Sequence, residues 1–327
     1  MSTSGRPRVL LMHPILDPGP SILAEAAEVI TYPPDRPLDE ANIRQAADGC
    51  VGIVSQLMDP IGEAVLSLPG LKCVSNVAVG FDNIDVASAT ANKVMVTNTP
   101  GVLDDATADF AFTLLMAAAR RIVEADNFTR GGQFRGWAID MMLGQDVFGA
   151  TLGIVGIGRI GRGVAHRAKG FNMRVLYYDP QPLPREAEDQ LGATRVDLNR
   201  LIAESDFISV HVPLTQETLH LISTAQFNAM KRTAILVNTS RGPVVDEAAL
   251  VDALNARKLA GAGLDVYERE PAVHPGLLAM PNVVLAPHIA SATVRTRSEM
   301  SAMAARNMAT AVRGGRPPNL VNPEVKK

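Results

Sequence analysis

Short apolar runs and longer amphipathic segments alternate along almost the whole chain. In the first hundred residues the runs are Val9 to Met12, Val29 to Thr31, Val51 to Ser55, Lys72 to Ser75 and Val94 to Thr97, and Ser21 to Ala27, Asp39 to Ala47 and Ile61 to Leu68 read as helical between them. Beyond residue 150 the rhythm returns with Leu152 to Val155, Val175 to Tyr178, Phe207 to Val210, Ala234 to Val237, Ala260 to Leu264 and Val283 to Leu285. Strands buried on both faces read as continuous apolar runs, and strands alternating with helices build parallel sheets covered on both sides. The pattern therefore predicts an α/β fold with two doubly wound parallel-sheet domains.

Two segments break the rhythm by their length. Asp104 to Asn127 predicts one long helix whose centre, Ala111 to Ala119, is almost wholly apolar. A helix apolar all round must be buried on every side, which burial between two subunits would satisfy, so a homodimer is expected; burial inside the monomer is the alternative. Ser291 to Val312 reads as a C-terminal helix, ended by Pro317 and Pro318. Asn98-Thr99-Pro100-Gly101 has the composition of a domain boundary, and Gly131 to Val147 is irregular and carries the only tryptophan, Trp137.

One strand–helix junction carries a chemical signature. Leu152 to Val155 runs into Gly156-Ile157-Gly158-Arg159-Ile160-Gly161, a helical segment follows, then the run Val175 to Tyr178, then Asp179, 18 residues after Gly161. That order suits a dinucleotide: the first glycine permits the tight turn, the second lets the backbone approach the pyrophosphate, and the third lets helix and strand pack closely. The phosphates would sit on the unsatisfied N–H groups at the helix start. A carboxylate at Asp179 would bind the ribose hydroxyls and repel a 2′-phosphate, so NAD is expected over NADP. Pro180, Gln181 and Pro182 bring no offsetting cation, and Arg185 is the nearest in sequence.

Composition narrows the remaining classes. The 327 residues are enough for two domains and for burying roughly three quarters of the unfolded surface. With 31 Lys+Arg against 34 Asp+Glu there is no basic excess of the kind nucleic-acid binding needs, and no apolar stretch is long enough to span a membrane or form a signal-peptide core. Cys50 and Cys73 have no metal-type spacing and read as buried, reduced thiols, so a cytoplasmic protein without a metal site is expected.

Three strand ends in the second half then supply candidate chemistry. Arg241 follows Ala234 to Val237 in NTSRG, Asp265, Glu268 and Glu270 follow Ala260 to Leu264 in LDVYEREP, and His288 follows Val283 to Leu285 in APHIA. Strand C-termini on one edge of a parallel sheet converge where such folds bind ligands. Arginine, carboxylate and histidine beside a nicotinamide imply hydride transfer to a keto acid. Arg241 would hold the substrate carboxylate in its planar fork and polarise the carbonyl. His288 would give its proton to the carbonyl oxygen, and Glu270 would orient the imidazole and raise its pKa. His13, His166, His211, His220 and His274 have no comparable support and read as structural, although His211, at a strand end, could line the cofactor groove.

These motifs resemble those of the D-isomer-specific 2-hydroxyacid dehydrogenase family. The matches are GIGRIG (156–161), NTSRG (238–242), LDVYEREP (264–271) and APHIA (286–290), with spacings of 29 and 18 residues from Arg241 to Glu270 to His288. VAVGFDNID (77–85), NTPGVLDDATADFAFTLLMAAAR (98–120) and VPLTQET (212–218) extend the resemblance to nearly full length, and VAVGFDNID, Gly136-Trp137 and HIASAT (288–293) are most similar to the glyoxylate/hydroxypyruvate reductases within the family. The family's catalytic glutamate directly precedes proline, which selects Glu270 over Glu268.

The resemblance implies a Rossmann NAD-binding domain, 101–289, inserted into a flavodoxin-like substrate domain made of 1–100 and 290–327. It implies that Val79 and Gly80 present N–H groups to the substrate carboxylate, that Leu57 lines a small substrate pocket, and that Trp137 reaches toward the other subunit's active site. Cofactor contacts are implied for Gly156, Gly158, Arg159, Ile160, Gly161, Asp179, Thr107, His211, Val212, Pro213, Thr239, Ser240, Ala290 and Asp265, the last at the nicotinamide carboxamide. The expected activity is NADH-dependent reduction of glyoxylate and hydroxypyruvate to glycolate and D-glycerate. The alternatives are 2-ketogluconate or another 2-keto acid as substrate, and, in a different class, a nicotinamide-sensing binding protein of corepressor type.

Overall fold

The computed structural model describes residues 5–325. The first four residues, where no signal-peptide core is expected, and the last two of the expected segment 290–327 lie outside them. The chain divides into two compact units, Met1–Leu103 with Ala292–Lys327 and Asp104–Ser291.

Unit 1 is built on five parallel strands: β1 (Arg8–Leu11), β2 (Glu28–Thr31), β3 (Gly52–Ser55), β4 (Cys73–Asn76) and β5 (Met95–Thr97), in the order β2-β1-β3-β4-β5. That is the flavodoxin-like order, with its direction reversing between β1 and β3. The inner strands β3 and β4 are buried along their whole length, as their apolar runs require. Apolar side chains fill both sheet faces, one around Leu10, Ile53 and Val74, the other around Val9, Val54 and Met308. Met308 belongs to the helix Val294–Val312, which returns from the far end of the chain and packs on β3, β4 and the helix Gly19–Ala26. Its small buried residues Ala304 and Ala305 allow close approach, and the Ser75 hydroxyl on β4 donates to the Ala304 carbonyl at 2.9 Å.

Unit 2 is a seven-stranded parallel sheet. Its strands are β6 (Thr151–Val155), β7 (Arg174–Tyr178), β8 (Ala193–Arg195), β9 (Phe207–Val210), β10 (Ile235–Asn238), β11 (Gly261–Leu264) and β12 (Val283–Leu285). The order β12-β11-β10-β9-β6-β7-β8 reverses between β6 and β9, which places a ligand-binding crevice at the C-terminal ends of those two strands. β8 has no counterpart in the apolar runs: it is a short edge strand with one buried residue, too polar to register.

The expected helix over 104–127 is two helices, Asp104–Ala119 and Ile122–Arg130. Arg121 turns the chain with a left-handed φ of 54° and chelates Glu124 through two hydrogen bonds of 2.9 and 2.7 Å. Nothing in the helix-favouring pair Arg120-Arg121 marks that stop. The reason given for a dimer also changes. Ala108, Ala111, Leu114 and Leu115 are buried within unit 2, where their helix packs on β10, β11 and the helix Arg159–Ala168. Apolar exposure lies further along instead, at Ile122, Trp137, Ile139, Leu143 and Phe148. No helix of the described residues is long and apolar enough to cross a membrane.

Candidate active site

In unit 2 the glycine turn between β6 and the helix Arg159–Ala168 sits at the switch point. Gly156 has φ +93°, and a Cβ there would lie 2.9 Å from the His211 carbonyl carbon and the Val212 nitrogen, at the end of β9. A Cβ on Gly161 would meet the Gly156 carbonyl oxygen at 2.2 Å, so only glycine lets helix and strand close up. Gly158 faces open space and caps the helix without a side chain, leaving the first-turn N–H groups available to an anion. Arg159 and Ile160 begin that helix, and the positive charge of Arg159 reaches Asp104, three residues before Thr107 on the neighbouring helix.

Asp179 follows β7 beside this turn. Its Oδ2 accepts the Ile157 N–H at 3.0 Å and its Oδ1 the Gln181 N–H at 3.0 Å, which ties the acid to the glycine loop. The cation brought here is Arg195 of β8, whose Nη2 donates to the Asp179 and Pro180 carbonyls, each at 2.9 Å. Sixteen residues separate Arg195 from Asp179, so only strand pairing reveals it.

At the end of β9, His211 bonds to the Ser209 hydroxyl at 2.7 Å, and burial pushes the imidazole down to about 4, keeping it neutral. Val212 is buried and Pro213 exposed beside it. At the end of β10, Asn238 shapes the next turn: its amide donates to the Arg241 carbonyl at 2.9 Å while its Oδ1 accepts from the Ser240 N–H and hydroxyl. The signal for this turn is the asparagine itself, which after a strand can bond its own backbone two residues on, as Asn238 does with the Ser240 N–H. The Thr239 hydroxyl is buried with no hydrogen-bond partner, an acceptor and donor left for a bound group.

The ends of β11 and β12 bring the acid–base residues together. His288 Nδ1 lies 2.8 Å from Glu270 Oε2, while Glu270 Oε1 accepts the Tyr267 N–H at 3.0 Å. Burial pushes the Glu270 carboxyl up. The hydrogen bond and charge of His288, the Tyr267 N–H and the Arg241 guanidinium outweigh it and hold the group below the ordinary carboxylate value. His288 has a left-handed φ of 53°, a conformation a non-glycine residue keeps only when its surroundings impose it. Asp265 imposes it. Its carbonyl accepts the His288 N–H at 2.9 Å, and its two carboxylate oxygens accept the N–H groups of Ile289 and Ala290 at 2.7 and 2.8 Å. Burial pushes the Asp265 carboxyl up, against those two donors. This grip on the histidine loop is a role the sequence reading did not assign to Asp265.

In unit 1, Leu57 lies in the turn after β3 and Val79 and Gly80 in the loop after β4. The Val79 and Gly80 carbonyls accept from the side chains of Asn98 at 2.8 Å and Asn76 at 2.9 Å, and neither residue's N–H donates to another described residue. Trp137, in unit 2, is 79% exposed.

A Rossmann-type crevice, an acid beside its glycine turn, and a histidine–carboxylate pair next to an arginine turn define an oxidoreductase that uses a nicotinamide dinucleotide. Sequence comparison narrows the class. The family described as "D-isomer specific 2-hydroxyacid dehydrogenase, NAD binding domain" matches residues 112–290. A glyoxylate reductase of Korarchaeum cryptofilum is 53% identical over 327 residues, covering 98% of each chain. The crystal structure of a glyoxylate reductase from Paecilomyes thermophila superposes with a TM-score of 0.87 at 35% identity, over 98% of this chain and 99% of that one. An NADPH-dependent glyoxylate/hydroxypyruvate reductase from Sinorhizobium meliloti, solved with NADP and malonate, gives a TM-score of 0.86 at 34% identity and 97% coverage of both chains. The chain belongs to the D-isomer specific 2-hydroxyacid dehydrogenases.

Proposed function

We propose that the protein reduces small 2-keto acids, glyoxylate and hydroxypyruvate, to glycolate and D-glycerate with NADH. The observation that carries the chemistry is the His288–Glu270 pair at 2.8 Å on strand ends adjoining the Arg241 turn. Arg241 grips the substrate carboxylate and polarises the keto group, and the N–H groups of Val79 and Gly80 serve the same carboxylate. Leu57 packs against the short substituent on the keto carbon. Bound NADH supplies the hydride. The C=O π bond opens as the new C–H bond forms, and His288 passes the proton on its Nε2 to the oxygen. Glu270, on Nδ1, fixes the ring and stabilises the imidazolium until transfer.

Asp179 supports NADH over NADPH, because its carboxylate matches ribose hydroxyls and repels a 2′-phosphate. The Nη2 of Arg195 is already engaged with two backbone carbonyls, while both Asp179 oxygens face the glycine turn and its own loop. Relatives named glyoxylate reductase support the substrate. Exposed Trp137, Ile139 and Leu143 support a homodimer through this stretch, with Trp137 serving the other subunit, and the two buried free cysteines fit a cytoplasmic protein. A sedimentation run returning only monomer would remove the dimer.

The test of the activity is absorbance at the NADH band with glyoxylate, hydroxypyruvate, pyruvate and 2-ketogluconate in parallel, repeated with NADPH. Fast oxidation with glyoxylate or hydroxypyruvate is expected. Turnover of 2-ketogluconate alone would keep the chemistry and overturn the small pocket. Binding of NADH without any turnover would indicate a sensor.

A further inference from the structure

Unit 1 contains a histidine–carboxylate pair of its own that the reaction above does not use. His13, just past β1, places Nε2 2.7 Å from Oδ1 of Asp59. Asp59 is fully buried, and its Oδ2 accepts the Gln56 N–H at 2.7 Å, closing the turn that carries Leu57 and Met58. The Gln56 amide also reaches back to the Pro14 carbonyl at 3.3 Å, so the two strand-end segments are stitched twice.

The network does not stop at that turn. The Asn83 amide donates to the carbonyls of Gln56 and Asp59 at 2.9 and 3.0 Å. Asn83 Oδ1 in turn accepts from Asn76 at 3.1 Å, and the same Asn76 amide holds the Gly80 carbonyl. Ser55, at the end of β3, anchors Asn76 through a bond of 3.0 Å. A continuous chain of hydrogen bonds thus runs from His13 through Asp59 and Asn83 to the loop of Val79 and Gly80.

A fully buried carboxylate needs a partner for its charge, and His13 is the only basic side chain bonded to Asp59 among the described residues. The ring itself is about one-third exposed, and the hydrogen bond of Asp59 raises its pKa, which favours the charged partner. His13 is badly disposed for proton delivery to a ligand, because its outer nitrogen is taken and Nδ1 lies next to its own backbone.

We propose that His13 is a positioning residue for the substrate: through Asp59, Asn83 and Asn76 it holds the Leu57 turn and the Val79–Gly80 loop in the conformation that receives the acid. The proposal rests on the function given above. Its test compares His13→Leu, which cannot bond to Asp59, with His13→Gln, which can. In steady-state assays with glyoxylate and NADH, His13→Leu should raise KM roughly tenfold or more, with kcat changed less than threefold and the NADH Kd unmoved; His13→Gln should recover most of the KM. Hydrogen–deuterium exchange without substrate should rise in segments 56–59 and 77–83 of His13→Leu. An unchanged KM, no recovery in the glutamine variant, or faster exchange spread through the whole sheet of unit 1 would overturn the assignment. If His13→Leu does not fold, Asp59→Asn replaces it, with the same rise confined to KM expected. Should the wild type turn over no keto acid, the substrate reading fails, and the exchange pattern alone decides the loop-holding role.

Discussion

Two histidine–carboxylate pairs, His13–Asp59 in unit 1 at 2.7 Å and His288–Glu270 in unit 2 at 2.8 Å, have nearly the same length, yet they are wired in opposite senses. His288 is bonded through Nδ1, the nitrogen next to its backbone, so its outer Nε2 faces away from the carboxylate that holds it. His13 is bonded through Nε2, and what remains is the inner nitrogen. The carboxylates differ as well. Glu270 is partly accessible, with an arginine near enough to help keep it ionised, whereas Asp59 is sealed in and divides its oxygens between the ring and a backbone N–H. The first arrangement is suited to moving a proton, the second to holding two loops still. A distance between two side chains does not separate these uses; the choice of nitrogen and the surroundings of the acid do.

The sharpest way to break the contrast is to remove each ring in turn. His288→Ala should lower kcat by about 10²–10⁴, roughly 3–5 kcal/mol in the barrier, whereas loss of His13 leaves kcat nearly intact. Steady-state rates decide, and a loss below threefold at His288 would take that residue out of the mechanism. Next in size is Asp265→Ala. It leaves the Ile289 and Ala290 N–H groups without acceptors, at about 1–3 kcal/mol each, and frees the left-handed His288 from its clamp. Both Tm and kcat should fall, and a variant that loses neither would show that His288 keeps its conformation unaided.

Smaller effects follow. Asp179→Ser should narrow the preference for NADH over NADPH by about tenfold or more, since it removes the like charge facing a 2′-phosphate and leaves Arg195 at the site. An unchanged ratio of kcat/KM values would mean that another group reads the ribose. The smallest effect concerns acid. Glu270 titrates below its ordinary 4.5 in the folded protein, so its contribution to stability is present above that value and is lost as pH falls through the folded pKa. The Tm gap between wild type and Glu270→Gln should therefore shrink on going from about pH 6 to about pH 3. A gap independent of pH would show that Glu270 is not held ionised by His288.

Much of this molecule was readable before its structure. Phe207–Val210 and Val283–Leu285 fall on the residues their apolar runs marked, and the glycine turn lies at the switch point of a parallel sheet. What escaped has particular causes. β8 is too short and polar to register, and with it went the approach of Arg195 to the cofactor acid. The break at Arg121 carries neither Gly nor Pro, and the apolar helix before it is buried by its own unit, so its composition says nothing about a partner subunit. His13 looked like an isolated histidine because its partner is 46 residues away.

By itself the sequence determined the alternation of strands and helices, the turn built for a dinucleotide, and the family's arginine, glutamate and histidine, because each element or residue is marked by a short run or motif of its own. Tertiary structure alone decided which nitrogen of each histidine is held, that Asp265 clamps the loop of His288, and that a hydrogen-bonded chain joins His13 to Gly80. The reason is the parallel sheet. Each crossover carries the chain through a helix before it returns, so residues at adjacent strand ends are set side by side by strand order and register, which no local spacing records.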